Sequence, residues 1–498
     1  MSTFWIRAFQ LLLSLSFLVI IHELGHFTFA RIFGVRVEKF YMFFNPRFSL
    51  VRFKKVNGKW RVRFFAPNVE PSVVERTDEF GNPLLDKKGN PIYRPMTQEE
   101  LNALPEDDWR RYPENTEWGI GWVPLGGYCS IAGMVDETKG ENDLPPEPQP
   151  WEYRAKPTWQ RLPIIIGGVL VNFIAALLIY SAVLFHWGKE YIPLENATYG
   201  LQYAPVMQEE GFQQGDKIVR IGERVPSTNA DIVEWLVVDG VRDVTVVRGA
   251  DTVVLTMPEH FDQKVLASDN TSLVAYRFPF VIDQLVDNGA AAKALLMAGD
   301  SIIAVGDTDA WAYQDVTAEL QKYACDSVSI TFVRDGQTMT TKAFLGDEAK
   351  LGVFTVNPYD KYLKTEKVEY GFLASIPAGA EYGWDVLVSY IKQMKLVFTK
   401  EGSKSLGGFG AIGSLFPPVW DWHSFWMLTA FLSIILAFMN IIPIPGLDGG
   451  HTLFLLWEMI TRKKPSDKFL EIVNTIGFWL ILLLVLYANF NDILKLFH

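Results

Sequence analysis

Apolar residues gather into four runs long enough to cross about 30 Å of hydrocarbon, at residues 8–30, 163–185, 424–445 and 472–490. The first run has only three ionisable side chains, His22, Glu23 and His26. At membrane depth such groups cost about 2.5–3.5 kcal/mol each on insertion scales, so three together need a purpose. The run is too long for a secretory signal, and its polar triplet stands where a cleavage site would be.

Between the runs the pattern changes period. Residues 47–56 and 59–65 alternate like strands around Asn57-Gly58, which predicts a β-hairpin. Residues 67–118 are polar, with an echo of Gly-Asn-Pro at 81–83 and 89–91, and read as an exposed hairpin insert. Residues 119–128 are apolar and glycine-rich but too short to span, which suggests a strand or loop at the interface or in the protein core. Residues 141–150 hold four prolines and read as an extended linker. Further on, Gly215-Asp216 and Gly299-Asp300 head two similar segments 84 residues apart, each followed by a helical run and alternating strands. The pattern Gly-Asp-x-Ile-x-x-(Ile/Val)-Gly resembles that of PDZ domains, which bind extended peptides at a sheet edge. Residues 369–400 suit an amphipathic helix lying on the outer leaflet or packed on the membrane domain.

Composition narrows the class. Of 498 residues 49% are apolar and 21% charged, a balance between soluble enzyme and all-membrane bundle. A net charge of −11 argues against nucleic acid as a partner. Lys and Arg cluster after the first run, before the second, and between the third and fourth, so these loops are expected in the cytoplasm. Both termini and residues 188–420 then face outward. Cys129 and Cys325 fall on opposite sides of the membrane, which excludes a disulfide between them.

Residues four apart share a helix face, so His22 and His26 can close on one metal ion, with Glu23 beside them and better angled toward a water. This is the division of labour in zinc peptidases of the HExxH type. Catalytic zinc needs a third protein ligand. The histidines lie about 7–14 Å from the cytoplasmic end of their span, and only Asp448 and His451 come near that depth. Both follow Pro443 and Pro445, which break the third span. Asp448 is preferred, because a carboxylate there completes a two-His, one-Asp site.

His-Glu-x-x-His at 22–26, Pro-Leu-Gly-Gly-Tyr at 124–128, the tandem PDZ-like segments and Asn-x-x-Pro-x-Pro-x-Leu-Asp-Gly-Gly at 440–450 occur in that order. In this the chain resembles the bacterial site-2 proteases, in the branch of the sigma-E regulator proteases. The resemblance implies zinc held by His22, His26 and Asp448, with Glu23 as general base. It implies that Asn440, Pro443 and Pro445 steady an extended substrate. Pro124, Leu125, Gly126 and Gly127, with the hairpin, are expected to offer an edge to the unwound substrate. Two motifs depart from the family: Gly168-Val169 stands where Gly-Pro is frequent ahead of Asn172, and Gly407-Gly408-Phe409 where Ser-Gly-Pro is usual. The insert at 67–118 is longer than the family leads one to expect.

The expected fold is a polytopic α-helical membrane protein of about four transmembrane helices, with a membrane-associated β-hairpin or sheet and two extracytoplasmic PDZ-like α+β domains. Its expected divisions are 1–187, the PDZ-like 188–265 and 270–355, a connector at 356–420, and 421–498. The expected activity is zinc-dependent cleavage of single-span membrane proteins, anti-sigma-factor-like proteins or signal-peptide remnants, in the bacterial inner membrane. Termini and PDZ-like tandem would be periplasmic, and the tandem would filter substrates. A silent membrane scaffold is the rival reading, which zinc content separates. A transporter fits poorly, since four spans show no inverted repeat.

Overall fold

A computed structural model describes residues 3–69, 72–75, 77, 83–84, 91, 93–124, 126–134, 148–268 and 272–495. Among these, four helices are long and apolar enough to cross a membrane: α1 (Thr3–Ile32), α2 (Thr158–Trp187), α4 (Trp422–Ile441) and the segment Ile472–Lys495 of α6 (Asp467–Lys495). They form one compact unit with residues 370–390, and a second unit comprises residues 188–369 and 391–405.

In the first unit, α1 and α4 both pack along α2. Small residues let them close. A Cβ on Gly25 of α1 would strike the Gly167 carbonyl of α2. Polar groups in this bundle pair with one another, as membrane depth demands: Thr429 Oγ1 donates to Ser14 Oγ at 3.0 Å, and Ser433 Oγ donates to the Asn172 carbonyl at 2.8 Å. α3 (Phe372–Val397) packs its first half on α2, with Gly379 against Ser181 and the Tyr180 and Tyr382 rings 4.8 Å apart.

α4 ends at Ile441, four residues short of the expected span, because Pro443 and Pro445 can supply no helical N–H. A turn closed by Leu447 N–H on the Ile444 carbonyl at 3.1 Å leads directly into α5 (Asp448–Thr461). Gly449 and Gly450 make this possible, since a Cβ on either would collide with carbonyls of residues 441–444. The glycine-rich segment becomes a short helix, Phe409–Leu415, whose first turn is capped by Asp492 Oδ2 of α6, 2.9 Å from the amides of Gly408 and Ala411.

The predicted hairpin is present. β2 (Phe48–Val56) and β3 (Lys59–Pro67) pair antiparallel across Asn57 and Gly58, both at positive φ as a type I′ turn requires. They extend a five-stranded sheet of order β3-β2-β4-β1-β5, in which β1 (Val37–Met42) runs parallel to β4 (Glu117–Ile120) and antiparallel to β5 (Tyr128–Ile131). α1 packs on β1 and β5. Of the insert, Val73–Glu75 pairs with Tyr93–Pro95, while much of the Gly-Asn-Pro echo and most of the 141–150 linker lie outside the described residues.

The second unit contains the internal repeat. In the first copy a sheet of residues 217–221, 243–248 and 251–256 accompanies a ladder of 201–203 with 274–276. The second copy repeats this with 301–305, 327–334 and 337–344, and a ladder of 282–285 with 353–355. The Gly-Asp aspartates are matched as well. Asp216 and Asp300 are buried, and each takes a two-pronged contact from an arginine of its own copy, Arg248 at 2.8–2.9 Å and Arg334 at 2.7 Å. The unit's ends are tied by Lys189–Tyr191 pairing with Glu366–Val368. Neither Cys129 nor Cys325 is joined in a disulfide.

Candidate metal centre

Helical spacing puts His22 and His26 on one face of α1, and Asp448 comes to that face as the first residue of α5. His22 Nε2 and His26 Nε2 stand 3.2 Å apart. Asp448 Oδ2 lies 3.2 Å from the former and 3.4 Å from the latter. Among the described residues no other group of three or more His, Cys, Asp or Glu side chains is arranged to hold an ion.

Their surroundings make this a trio of lone pairs. His26 Nδ1 contacts the Ile164 carbonyl at 2.8 Å, where it can only donate, so a neutral ring leaves Nε2 without a proton. Asp448 Oδ2 is buried and is approached by both rings without hydrogen-bond geometry. Lone pairs facing one another at these distances repel unless a cation lies among them. Ligands bonded at about 2.0–2.1 Å to a tetrahedral ion sit roughly 3.3–3.4 Å apart, so the observed separations suit zinc. The donor set fits the metal.

The cradle is built by α2. A Cβ on Gly168 would come within 2.6 Å of His22 Cε1 and His26 Nε2, so only glycine leaves the imidazoles their room. Four residues on, Asn172 is fully buried with its side-chain amide 3.3 Å from His22 Nδ1. Its Oδ1 is buried without a partner. Turned end for end, the amide gives Oδ1 to the His22 Nδ1 proton and leaves Nε2 free as a ligand atom. No role for Asn172 is read from the residues alone. Its signal was a carboxamide in an otherwise apolar span, at helical spacing from Gly168.

Glu23 is turned about 100° from His22 and about 60° from His26 around the helix, and accepts a hydrogen bond from the Cys129 backbone amide of β5. His451 lies three residues into α5 near Asp448 and His26, outside the trio. Asn440, Pro443 and Pro445 occupy the end of α4 and the turn that delivers Asp448. Asn440 makes no side-chain hydrogen bond among the described residues, and Pro443 is exposed. Pro124 is exposed, Gly126 packs on the Phe44 ring, and Gly127 packs on Tyr41 and Val19 of α1, one turn before Glu23. Leu125 lies outside the described residues.

The sequence model of peptidase family M50 matches residues 10–73 and 108–484, leaving residues 74–107 unmatched. The regulator of sigma E protease of Haemophilus influenzae is 25% identical over the whole of both chains. A relative from Ralstonia nicotianae is 24% identical over 97% of each. The zinc metalloprotease RasP of Shouchella clausii is 31% identical over 42% of this chain and half of its own.

Proposed function

Because the chain belongs to peptidase family M50 and is a multi-pass zinc metalloprotease of the site-2 protease kind, we propose that it cleaves single-span membrane proteins within the bilayer, with zinc held by His22, His26 and Asp448. The carrying observation is the convergence of three lone-pair atoms within 3.4 Å, two of them on a helix apolar enough to span. A zinc ion held there supplies Lewis acidity toward the scissile carbonyl and toward water.

The chain's own residues do the rest. Glu23, outside the trio and anchored to the Cys129 amide, takes the proton of the attacking water on a carboxylate oxygen and passes it to the departing amine nitrogen. Asn172 keeps the His22 ring in its ligating tautomer. A substrate helix must unwind before its amides can be attacked, and the loosened strand needs partners for its backbone groups. β5 is an edge strand beside Glu23 and is the strand that would accept it, with Gly126 and Gly127 clearing its approach. The Asn440 amide and the turn at Pro443 and Pro445 would hold the other side.

The repeated domains of the second unit are read as PDZ-like filters facing the periplasm, with the metal nearer the cytoplasmic side of the inner membrane. Their matched strand orders and Asp–Arg pairs support a tandem of one fold. Purified protein in vesicles, incubated with a single-span reporter and assayed for zinc, tests the reading. Zinc-loaded protein that cuts no single-span reporter while cutting soluble peptides would overturn it.

A further inference from the structure

The stretch outside the family match, residues 74–107, ends where the chain returns over the sheet. β2 and β3 have two unlike faces, set by their register. One carries Val51, Phe53, Trp60, Val62 and Phe64, with Trp60, Val62 and Phe64 more than half exposed. The other carries Arg52 directly opposite Arg63, and Lys54 opposite Arg61. Like charges directly opposite one another destabilise a ladder unless something neutralises them.

Residues 105–110 fold over this basic face. With the sheet they line an open cleft of about 450 Å³, to which Arg52, Arg63, Asn68, Asp107, Trp109 and Arg110 contribute. Both sheet arginines lie over the buried Trp109 ring, Arg52 Cζ 5.0 Å and Arg63 Cζ 4.7 Å from its centre. Arg52 is only 2% exposed, and its Nε and Nη1 are buried without any hydrogen-bond acceptor.

The carboxylates nearby leave the Arg52 Nε and Nη1 without a hydrogen bond. Glu117 Oε1 is 3.9 Å from Arg52 Nη1, too far for a hydrogen bond, and takes the Tyr41 hydroxyl at 2.5 Å. Asp108 receives Arg110 at 2.8–3.2 Å through both oxygens. Asp107 is exposed at the rim. Burial, only partly offset by Glu117, pushes the Lys54 ammonium below its usual range.

We propose that this cleft binds a phosphate-class oxyanion between Arg52 and Arg63, with Trp109 as its floor. A planar guanidinium with idle N–H groups matches two oxygens of such an anion. The apolar exposed face of the same hairpin would bring the site to headgroup level in a bilayer, so the phosphate can belong to an anionic lipid or to a free solute.

The test uses full-length, zinc-loaded protein and two probes. Inorganic phosphate is titrated in detergent with the phosphorus-31 linewidth as readout. Lipid retained from vesicles of phosphatidylcholine, with and without phosphatidylglycerol, is measured by mass spectrometry. Arg63→Glu, at an exposed position, is expected to weaken binding by about tenfold or more, the loss of a charge-assisted contact. Arg52→Met should abolish it. Arg61→Glu, two residues away on the same face but outside the cleft, should change it little. Sensitivity to Arg63 and not Arg61 with inorganic phosphate supports a free oxyanion, and the same pattern with phosphatidylglycerol alone supports a headgroup. Equal effects of Arg61→Glu and Arg63→Glu, or binding of both probes left unchanged in folded Arg63→Glu protein, would overturn the site.

Discussion

The side-chain amide of Asn172 sits 3.3 Å from Nδ1 of His22, the one hydrogen-bond partner of that nitrogen among the described residues. A ligating histidine depends on the partner of its second nitrogen, and losing that partner typically lowers metal affinity about 10–100-fold. Asn172→Ala should therefore raise the zinc dissociation constant by that factor, and Asn172→Asp should retain zinc because its carboxylate still accepts from Nδ1. Competition with a chelator of known affinity measures both. An alanine variant that holds zinc as tightly as the parent would leave Asn172 a packing residue.

Glu23→Gln keeps a side chain of the same size and can still meet the Cys129 amide, but it cannot hold the water's proton. Cleavage should fall by about 10²-fold or more, with zinc content unchanged. Metal analysis and a cleavage assay on one preparation decide it, because zinc lost along with activity would make Glu23 a ligand.

The neck formed by Lys189–Tyr191 and Glu366–Val368 gives the second unit a natural place to be cut out. Replacing residues 192–365 with a short turn should preserve hydrolysis of an already shortened membrane peptide and relax discrimination against substrates with bulky outer domains. A folded, zinc-loaded deletion protein that no longer cleaves the short peptide would remove the filter role.

Arg334→Ala strands Asp300, which is fully buried and loses both of its 2.7 Å guanidinium contacts. Breaking such a pair from one side leaves a buried carboxylate without its counter-charge and should lower stability clearly. Lys350→Ala removes an exposed partner of Glu348, and the change should stay within about 0.5 kcal/mol. Pulse proteolysis of the full chain in urea compares them, and similar midpoints would contradict the argument.

How far the residues alone revealed the molecule follows from the range of each signal. His22 and His26 announced themselves because polar groups in an apolar run have no cheap explanation, and Asn57-Gly58 because few residues tolerate its turn. The repeat was legible through Gly215-Asp216 and Gly299-Asp300. The sheet order was hidden, since β4 inserts between β2 and β1 only after a polar stretch of some fifty residues. Asn172 was hidden too, because its meaning lies in a contact with a helix 150 positions earlier. The apolar run at 424–445 outlasts its helix, because the prolines read as breaking the span stop α4 at Ile441.

Asp448 and His451 compete for the third ligand position, and the geometry separates them. Asp448 begins α5, where the turn after Pro445 thrusts it between the two imidazoles, 3.2 and 3.4 Å away. His451 follows by three residues and is not among the side chains whose donor atoms converge. A buried carboxylate among ring nitrogens also needs a cation more than a neutral imidazole does. Asp448→Ala should therefore lower zinc occupancy and cleavage together, whereas His451→Ala should keep zinc and reduce cleavage by less than about tenfold, since only neighbouring packing changes. Zinc content and reporter cleavage, measured on each variant after detergent extraction, give the answer. Full zinc in Asp448→Ala protein, or zinc lost from His451→Ala protein, would exchange the two assignments.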